Sequence, residues 1–145
     1  MTVSLPVERA AGGRWPRVRT PTLLAGGLLA VSVLLHLRDP HRGGSWGYCP
    51  WLMLTGTYCP GCGGLRAVND LTDGNVAGAA SSNLLFVGSL PLLGFLYVRW
   101  VVDAWRGVRR PVSTRRALIY AGVVLAVALV FTVLRNLPAG AWLAP

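Results

Sequence analysis

The chain has 145 residues, of which 53% are hydrophobic and only 13% charged, about half the charged fraction of an ordinary soluble domain. All fourteen basic residues are arginines, and five acids leave a net charge of +9. Because the charges cluster between long uncharged runs, the composition predicts one compact integral membrane protein rather than a soluble domain. Most arginines flank the apolar runs, so the membrane explains the positive charge and nucleic acid is excluded as a partner.

An arginine-bearing tail, residues 1–20, precedes the first apolar run. Thr20-Pro21 has the form of a helix start, with an N-cap residue followed by proline in the first turn. The run that follows predicts a first membrane helix over 21–37. Because no small-residue cleavage site comes after it, we expect an uncleaved membrane helix rather than a signal peptide.

The segment 38–75, here called the cysteine loop, is the longest stretch too polar to lie inside a bilayer, and it holds all three cysteines. Its tryptophans and tyrosines suit the headgroup layer of a membrane. A short helix over 64–71, ended by Gly74, is expected within it. The loop is therefore predicted to lie at one water–lipid boundary.

Two further apolar runs follow the loop. The second predicted span covers 76–99 and is expected to kink at Pro91, because proline removes a backbone hydrogen bond. The third span, 117–135, is the clearest of the three, and a tail over 138–145 ends the chain. The predicted fold class is an all-α membrane protein with one membrane domain over 21–137, containing three transmembrane helices and a short interfacial helix.

The arginines predict which way the protein crosses the membrane. Ten lie in the amino-terminal tail and the connection between the second and third spans, whereas four lie on the opposite side. The positive-inside rule then puts the amino terminus in the cytoplasm and the protein in the cytoplasmic (inner) membrane of a bacterium. The cysteine loop and the carboxyl-terminal tail are expected outside. The polar and reactive residues expected at that extracytoplasmic face are Cys49, Cys59, Cys62, Arg66, Asn83, Arg135 and Asn136.

The first functional interpretation of the cysteines is thiol–disulfide exchange. Cys59 and Cys62 have the two-residue spacing of redox motifs, and a helix that begins after them would favour a thiolate. Arg66, four residues after Cys62, would add to that effect, and Cys49 could act as a resolving thiol. An oxidising extracytoplasmic space would let a disulfide persist.

The second interpretation is a metal site. Cys-Pro-Gly-Cys-Gly has the form of a zinc or iron knuckle, and Cys49 supplies a third thiolate beside Cys59 and Cys62. Zinc prefers four ligands, so one more is needed. The candidates for the fourth ligand are His41, Asp70, Asp73, a water molecule and a residue of a second copy of the chain.

The third interpretation is structural, with the Cys-x-x-Cys pair forming a small disulfide or packing within a tight, glycine-rich turn. At the ends of the spans, Asn83 is expected to hydrogen-bond to the loop, and Arg135 to anchor the interface or pair inward with Asp70 or Asp73. No serine–histidine–acid set, carboxylate pair or phosphate loop can be assembled, which disfavours hydrolase and kinase chemistry. Whether the protein is an enzyme stays open at this stage.

Three motifs together resemble a known family. They are Cys49-Pro50, the run Cys59-Pro60-Gly61-Cys62-Gly63 with Arg66-Ala67, and Arg135-Asn136-Leu137-Pro138 near the end. The pattern is similar to that of small bacterial membrane proteins classed as domain of unknown function 2752, which carry a CPxCGxTRA motif. The family's threonine before the arginine is Leu65 here. The resemblance implies a multi-pass bacterial inner-membrane protein and brings no established activity.

The sequence therefore predicts a small multi-pass membrane protein whose outward-facing cysteine loop serves as a structural, metal-binding or partner-binding site. A membrane thiol–disulfide oxidoreductase using Cys59 and Cys62 is the alternative. Zinc is the cofactor expected of the metal-binding interpretation. The expected partners are the lipid bilayer and either another membrane protein or a second copy of this chain.

Overall fold

The computed structural model describes residues 8–9, 13–42, 46, 49–111 and 113–145, so much of the predicted tail and part of the cysteine loop lie outside the described residues. Within the described ranges the chain is mostly helical. The helices are α1 (Arg14–Leu37), α2 (Pro50–Thr55), α3 (Gly64–Thr72), α4 (Val76–Ser82), α5 (Leu84–Arg106), α6 (Thr114–Asn136) and a carboxyl-terminal 3-10 helix (Pro138–Leu143). Two short strands, β1 (Glu8–Arg9) and β2 (Val108–Arg109), pair antiparallel.

Three of the helices are long and apolar enough to cross a membrane, α1 with 24 residues and α5 and α6 with 23 each. Each is about 35 Å long, slightly more than a hydrocarbon core of roughly 30 Å. The prediction of an all-α membrane fold with three spans and shorter helices between them is confirmed. The strand pair adds one small contact, which joins the start of the chain to the connection between α5 and α6.

Helix α1 begins at Arg14, after Gly13, and runs straight through Thr20-Pro21, so the predicted helix start at that dipeptide is wrong. Proline has no N–H to donate to the carbonyl one turn earlier, so α1 lacks one backbone hydrogen bond at this position. Pro21 is also used in packing, because its carbonyl accepts a hydrogen bond of 3.0 Å from the hydroxyl of Tyr97 in α5. The added turns extend the helix beyond the apolar run into its arginine-bearing flank.

The second apolar run forms two helices, because the backbone of Asn83 is extended, with φ −160° and ψ 92°. Asn83 ends α4 and caps α5, since its side-chain oxygen accepts a hydrogen bond of 2.9 Å from the Phe86 amide. Helix α5 then continues through Pro91 and ends at Gly107, which has the left-handed φ of 69°. The break therefore lies at the loop end of the run and not at the proline.

The long helices and the loop end of the bundle differ in burial. Helix α1 packs along α5, and α3 packs on α4 and α1, whereas α6 packs chiefly on the 3-10 helix. In the described chain no residue of α5 is buried, and in α6 only Phe131 and Arg135 are. Most buried side chains instead surround the cysteine loop, where the ends of α1, α4 and α6 meet α3. The core of the molecule is therefore at one end of the bundle.

Candidate functional site

The three cysteine thiols lie together. The sulfur of Cys59 is 3.2 Å from that of Cys62 and 3.8 Å from that of Cys49, and all three sulfurs lie within 4.8 Å of one another. Sulfurs bound to one zinc ion at about 2.3 Å in a tetrahedron would be roughly 3.8 Å apart. The observed separations lie on both sides of that value, so small movements of these side chains suffice to hold one metal ion.

A tight turn brings Cys59 and Cys62 together. The amide of Cys62 donates to the carbonyl of Cys59 at 3.1 Å, and Gly63 follows with a left-handed φ of 81°. A Cβ atom on Gly63 would collide with the carbonyl of Ser82 and lie 2.8 Å from the Cβ of Pro145. Only glycine fits this position, because it combines a positive φ with a close backbone approach.

Two polar side chains from the ends of the spans bind the backbone of this turn. Asn83 donates through Nδ2 to the carbonyls of Pro60 at 2.9 Å and Cys62 at 3.1 Å. Arg135 donates through Nη1 to the carbonyls of Cys59 at 2.9 Å and Cys62 at 3.2 Å. Both side chains are only 1% exposed. The predicted hydrogen bonding of Asn83 to the loop is confirmed, and the Cys62 carbonyl is shared by both residues.

The end of α6 also binds the residue before the turn. Asn136 accepts from the amide of Tyr58 at 2.8 Å and donates to its carbonyl at 2.9 Å. The guanidinium carbon of Arg135 lies 5.6 Å from the ring centre of Tyr58 and 4.9 Å from that of Phe131, both within the range of cation–π attraction. Arg135 and Asn136 thus fix the approach of the chain to Cys59.

The predicted pairing of Arg135 with Asp70 or Asp73 is wrong. Asp70 lies 3.2 Å from Nε2 of His41, and Asp73 lies 3.0 Å from Nδ1 of His36. Because α3 packs against α1, its aspartates face the histidines at and beyond the end of α1, whereas Arg135 reaches the turn from α6. Backbone carbonyls, which carry partial negative charge, take the place of the expected carboxylate.

None of the three protein residues proposed as a fourth ligand joins the cysteines. Among the described residues, the group close enough to share a metal ion consists of Cys49, Cys59 and Cys62 alone. The candidates His41 and Asp70 are instead bonded to each other, and Asp70 also accepts from Ser82 at 3.0 Å. A fourth ligand would therefore be a water molecule or a group from another molecule.

Arg66 contributes less to this site than its spacing predicted. It is half-buried and, within the part of the chain described, has no hydrogen bond or ion pair. The expected effect on Cys62 assumed that both residues share a helical face. Cys62 lies before Gly63, the N-cap of α3, so helical spacing does not apply to it.

The environments of the thiols differ. Burial is the main cause that raises the pKa of Cys62 to about 12, and its contacts with Cys59 and Cys49 raise it further. The pKa of Cys49 is lowered, first by the backbone amide of Leu52 in the first turn of α2. The two shifts have opposite signs, so Cys49 ionises more readily than Cys62.

Beside Cys59 a groove of about 220 Å³ opens between the loop and α6, and its lining was not anticipated from the sequence. The lining residues are Trp51, Cys59, Pro60, Leu125, Ala128, Leu129 and Thr132. Tyr58 and Phe131, whose rings lie within cation–π range of the Arg135 guanidinium, were also missed as site residues. An aromatic residue one turn before an arginine at a helix end was the available signal for Phe131.

Residues 49–97 match the model of a family described as "Protein of unknown function (DUF2752)", and this confirms the family inferred from the cysteine motifs. The match includes all three cysteines and Asn83, whereas Arg135 and Asn136 lie beyond it. No curated protein and no solved structure matches the chain.

Proposed function

We propose that this protein, which belongs to the DUF2752 family through residues 49–97, holds a metal ion between its three cysteines at the extracytoplasmic face of a bacterial cytoplasmic membrane. The observation that carries the proposal is the cluster of three sulfurs within 4.8 Å. Three thiolates suit soft or borderline ions such as zinc and copper(I). Zinc is the first candidate, with water or an incoming group as its fourth ligand.

The surroundings of the cysteines support a prepared site. Asn83 and Arg135 hold the carbonyls of the Cys59–Cys62 turn, and residues that orient ligands in this way affect metal affinity strongly. Cys49 comes from a separate element, the N-cap of α2. The metal would therefore link the α2 region to the turn before α3, in addition to any role in binding a partner.

The extracytoplasmic location rests on the distribution of arginine. Ten of the fourteen arginines lie in the tail (residues 1–20) and between Arg99 and Arg116, which covers the end of α5, its connection to α6 and the start of α6, at the opposite end from the cysteine loop. Reporter fusions within 106–116 and after Pro145 test this orientation. We expect a cytoplasmic signal from the first fusion and an extracytoplasmic signal from the second, and the reverse result would contradict the proposal.

The metal itself is tested by measuring its stoichiometry. Full-length protein purified in detergent without added chelator is analysed by elemental mass spectrometry, and we expect about one metal ion per chain. Cys59→Ser is expected to lose the ion. Ser81→Ala, which alters an exposed hydroxyl outside the loop, is the control and should retain it. A wild-type protein that binds neither zinc nor copper(I) after reduction and reconstitution would contradict the metal site.

The alternative function is thiol–disulfide exchange, and the specific observation in its favour is the 3.2 Å between the sulfurs of Cys59 and Cys62. The Cys59 thiolate would attack a partner's disulfide and form a mixed disulfide while one partner thiolate leaves. Attack by Cys62 would then close the Cys59–Cys62 bond and release the partner as a dithiol. Thiol labelling without reductant separates the two functions, because the exchange requires reversible oxidation of Cys59 and Cys62, whereas the metal site requires reduced thiols and a bound ion.

A further inference from the structure

Arg135 is a buried cation that the described chain leaves incompletely satisfied. Its side chain is 1% exposed, and only Nη1 donates hydrogen bonds, both to carbonyls of the turn. The Nε and Nη2 atoms have no hydrogen-bond partner among the described residues. A buried guanidinium with unpaired donors is costly unless negative charge lies nearby.

No carboxylate is among the described groups that act electrostatically on Arg135. Asp70 and Asp73 bind the two histidines, and Asp103 binds Arg110 at the other end of the bundle, at 2.8 Å. The groups near Arg135 that can become anionic are the thiols of Cys62 and Cys59 and the phenol of Tyr58. A thiol ionises far more readily than a phenol when it binds a metal, so the sulfurs are the source of negative charge.

We propose that Arg135 is the counter-ion of an anionic metal–thiolate cluster and that its charge favours soft monovalent ions relative to divalent ones. This inference rests on the proposed metal site. Three thiolates around a divalent ion carry a net charge of −1, and around a monovalent ion −2. One fixed positive charge stabilises the second complex about twice as strongly as the first. Arg135 therefore acts on selectivity as well as on geometry.

Asn83 provides a matched comparison for this role. It donates two hydrogen bonds to carbonyls of the same turn, shares the Cys62 carbonyl with Arg135, and is equally buried, but it is neutral. A substitution of Asn83 removes only hydrogen bonds that position the Cys59–Cys62 turn. Loss of Arg135 removes positioning and charge, and only the charge distinguishes between ions of different valence.

The experiment compares the affinities of full-length protein for Ag⁺ and Cd²⁺, which are both thiophilic, by competition with a chelator in detergent. For Arg135→Gln we expect the Cd²⁺ affinity to fall about tenfold and the Ag⁺ affinity about a hundredfold. For Asn83→Ala we expect both affinities to fall by a similar factor. Arg42→Gln, which removes an 85% exposed arginine from the loop, should leave both affinities unchanged.

A second variant covers the case in which Arg135→Gln does not fold. Asn83→Asp places a carboxylate where it would offset the Arg135 charge, and aspartate can still cap α5. We expect it to lower the Ag⁺ affinity more than the Cd²⁺ affinity, in contrast with Asn83→Ala. Equal loss of both ions in Arg135→Gln, or equal loss in Asn83→Asp, overturns the counter-ion role and leaves the metal site intact. A wild-type chain that binds neither ion overturns the proposed function itself.

Discussion

The cysteine end of the molecule and the shafts of its long helices, meaning the middle parts of α1, α5 and α6, differ in which side chains they bury. At the cysteine end the side chains are polar and buried, among them Asn69, Asp70, Ser82, Asn83 and Arg135. Along the shafts the side chains are apolar and exposed, and α5 has no buried residue in the described chain. A bilayer covers apolar side chains without specific protein contacts, whereas buried polar groups require partners at defined positions.

The two regions should therefore tolerate substitution to different degrees. Where a shaft side chain faces lipid, its identity matters little as long as it is apolar, because lipid adapts to its shape. At the cysteine end each donor has a particular acceptor, so that one substitution disturbs several contacts at once. We therefore expect substitutions at the cysteine end to have large effects and substitutions in the shafts to have small ones.

The largest effect is expected at Gly63. Gly63→Ala forces a Cβ into the carbonyl of Ser82 at a φ of 81°, and we expect a loss of at least about 2 kcal/mol of stability with loss of bound metal. Gly64→Ala is the control, because a Cβ there meets nothing within 4 Å. Thermal unfolding in detergent and metal stoichiometry provide the measurements. Equal stability of the two variants would show that the turn is not held as described.

A smaller effect is expected at Asn83, with Asn75 as its matched control. Both residues cap a helix, since each side-chain oxygen accepts a backbone hydrogen bond at 2.9 Å. Asn75→Ala should cost about 1 kcal/mol, the usual value of a cap. Asn83→Ala should cost about 3 kcal/mol, because it also leaves the carbonyls of Pro60 and Cys62 without this donor. Denaturant or thermal unfolding measures the two losses of stability. Similar losses in Asn75→Ala and Asn83→Ala would show that the loop contacts of Asn83 add little to its role as a helix cap.

The smallest effect is expected in the shaft of α6. Val124 is 68% exposed in the isolated chain, and Val124→Ala should change stability by no more than about 0.5 kcal/mol and leave metal binding unaltered. The comparison is made in lipid nanodiscs, where the side chain faces acyl chains. A loss above about 1 kcal/mol would indicate that a protein surface, such as a second copy of the chain, covers this face.

The membrane spans were predictable because the hydropathy of a segment is the sum of its residues' contributions. A long apolar run identifies a membrane helix whatever its neighbours are, and all three runs were found in this way. The short helix α3 was predicted separately, with Gly74 as the residue that ends it. The start of α1 and the break at Asn83 were not predicted. Pro21 and Pro91 are strong local signals, but both lie within continuous helices, whereas the asparagine interrupts its run because it binds a distant loop.

The cysteines, Asn83, Arg135 and Asn136 were predictable as site residues, whereas Tyr58, Phe131 and the hydrogen-bond partners of Arg135 were not. Charge counting brought Asn83, Arg135 and Asn136 to the same predicted face as the cysteines, although that face remains a prediction with respect to the membrane. The partner of Arg135 was wrong because the reasoning sought a carboxylate, while the folded turn offers carbonyls. Such partners depend on how the backbone turns around Gly63, which spacing along the chain does not encode.

The hydrogen bonds from the end of α6 also set an order of events during synthesis. Arg135 binds the carbonyl of a residue 76 positions earlier in the chain, and Asn136 binds one 78 positions earlier. When the cysteines leave the ribosome, Arg135 and Asn136 have not yet been made. The turn therefore gains its contacts with Arg135 and Asn136 only after the last membrane helix has been made.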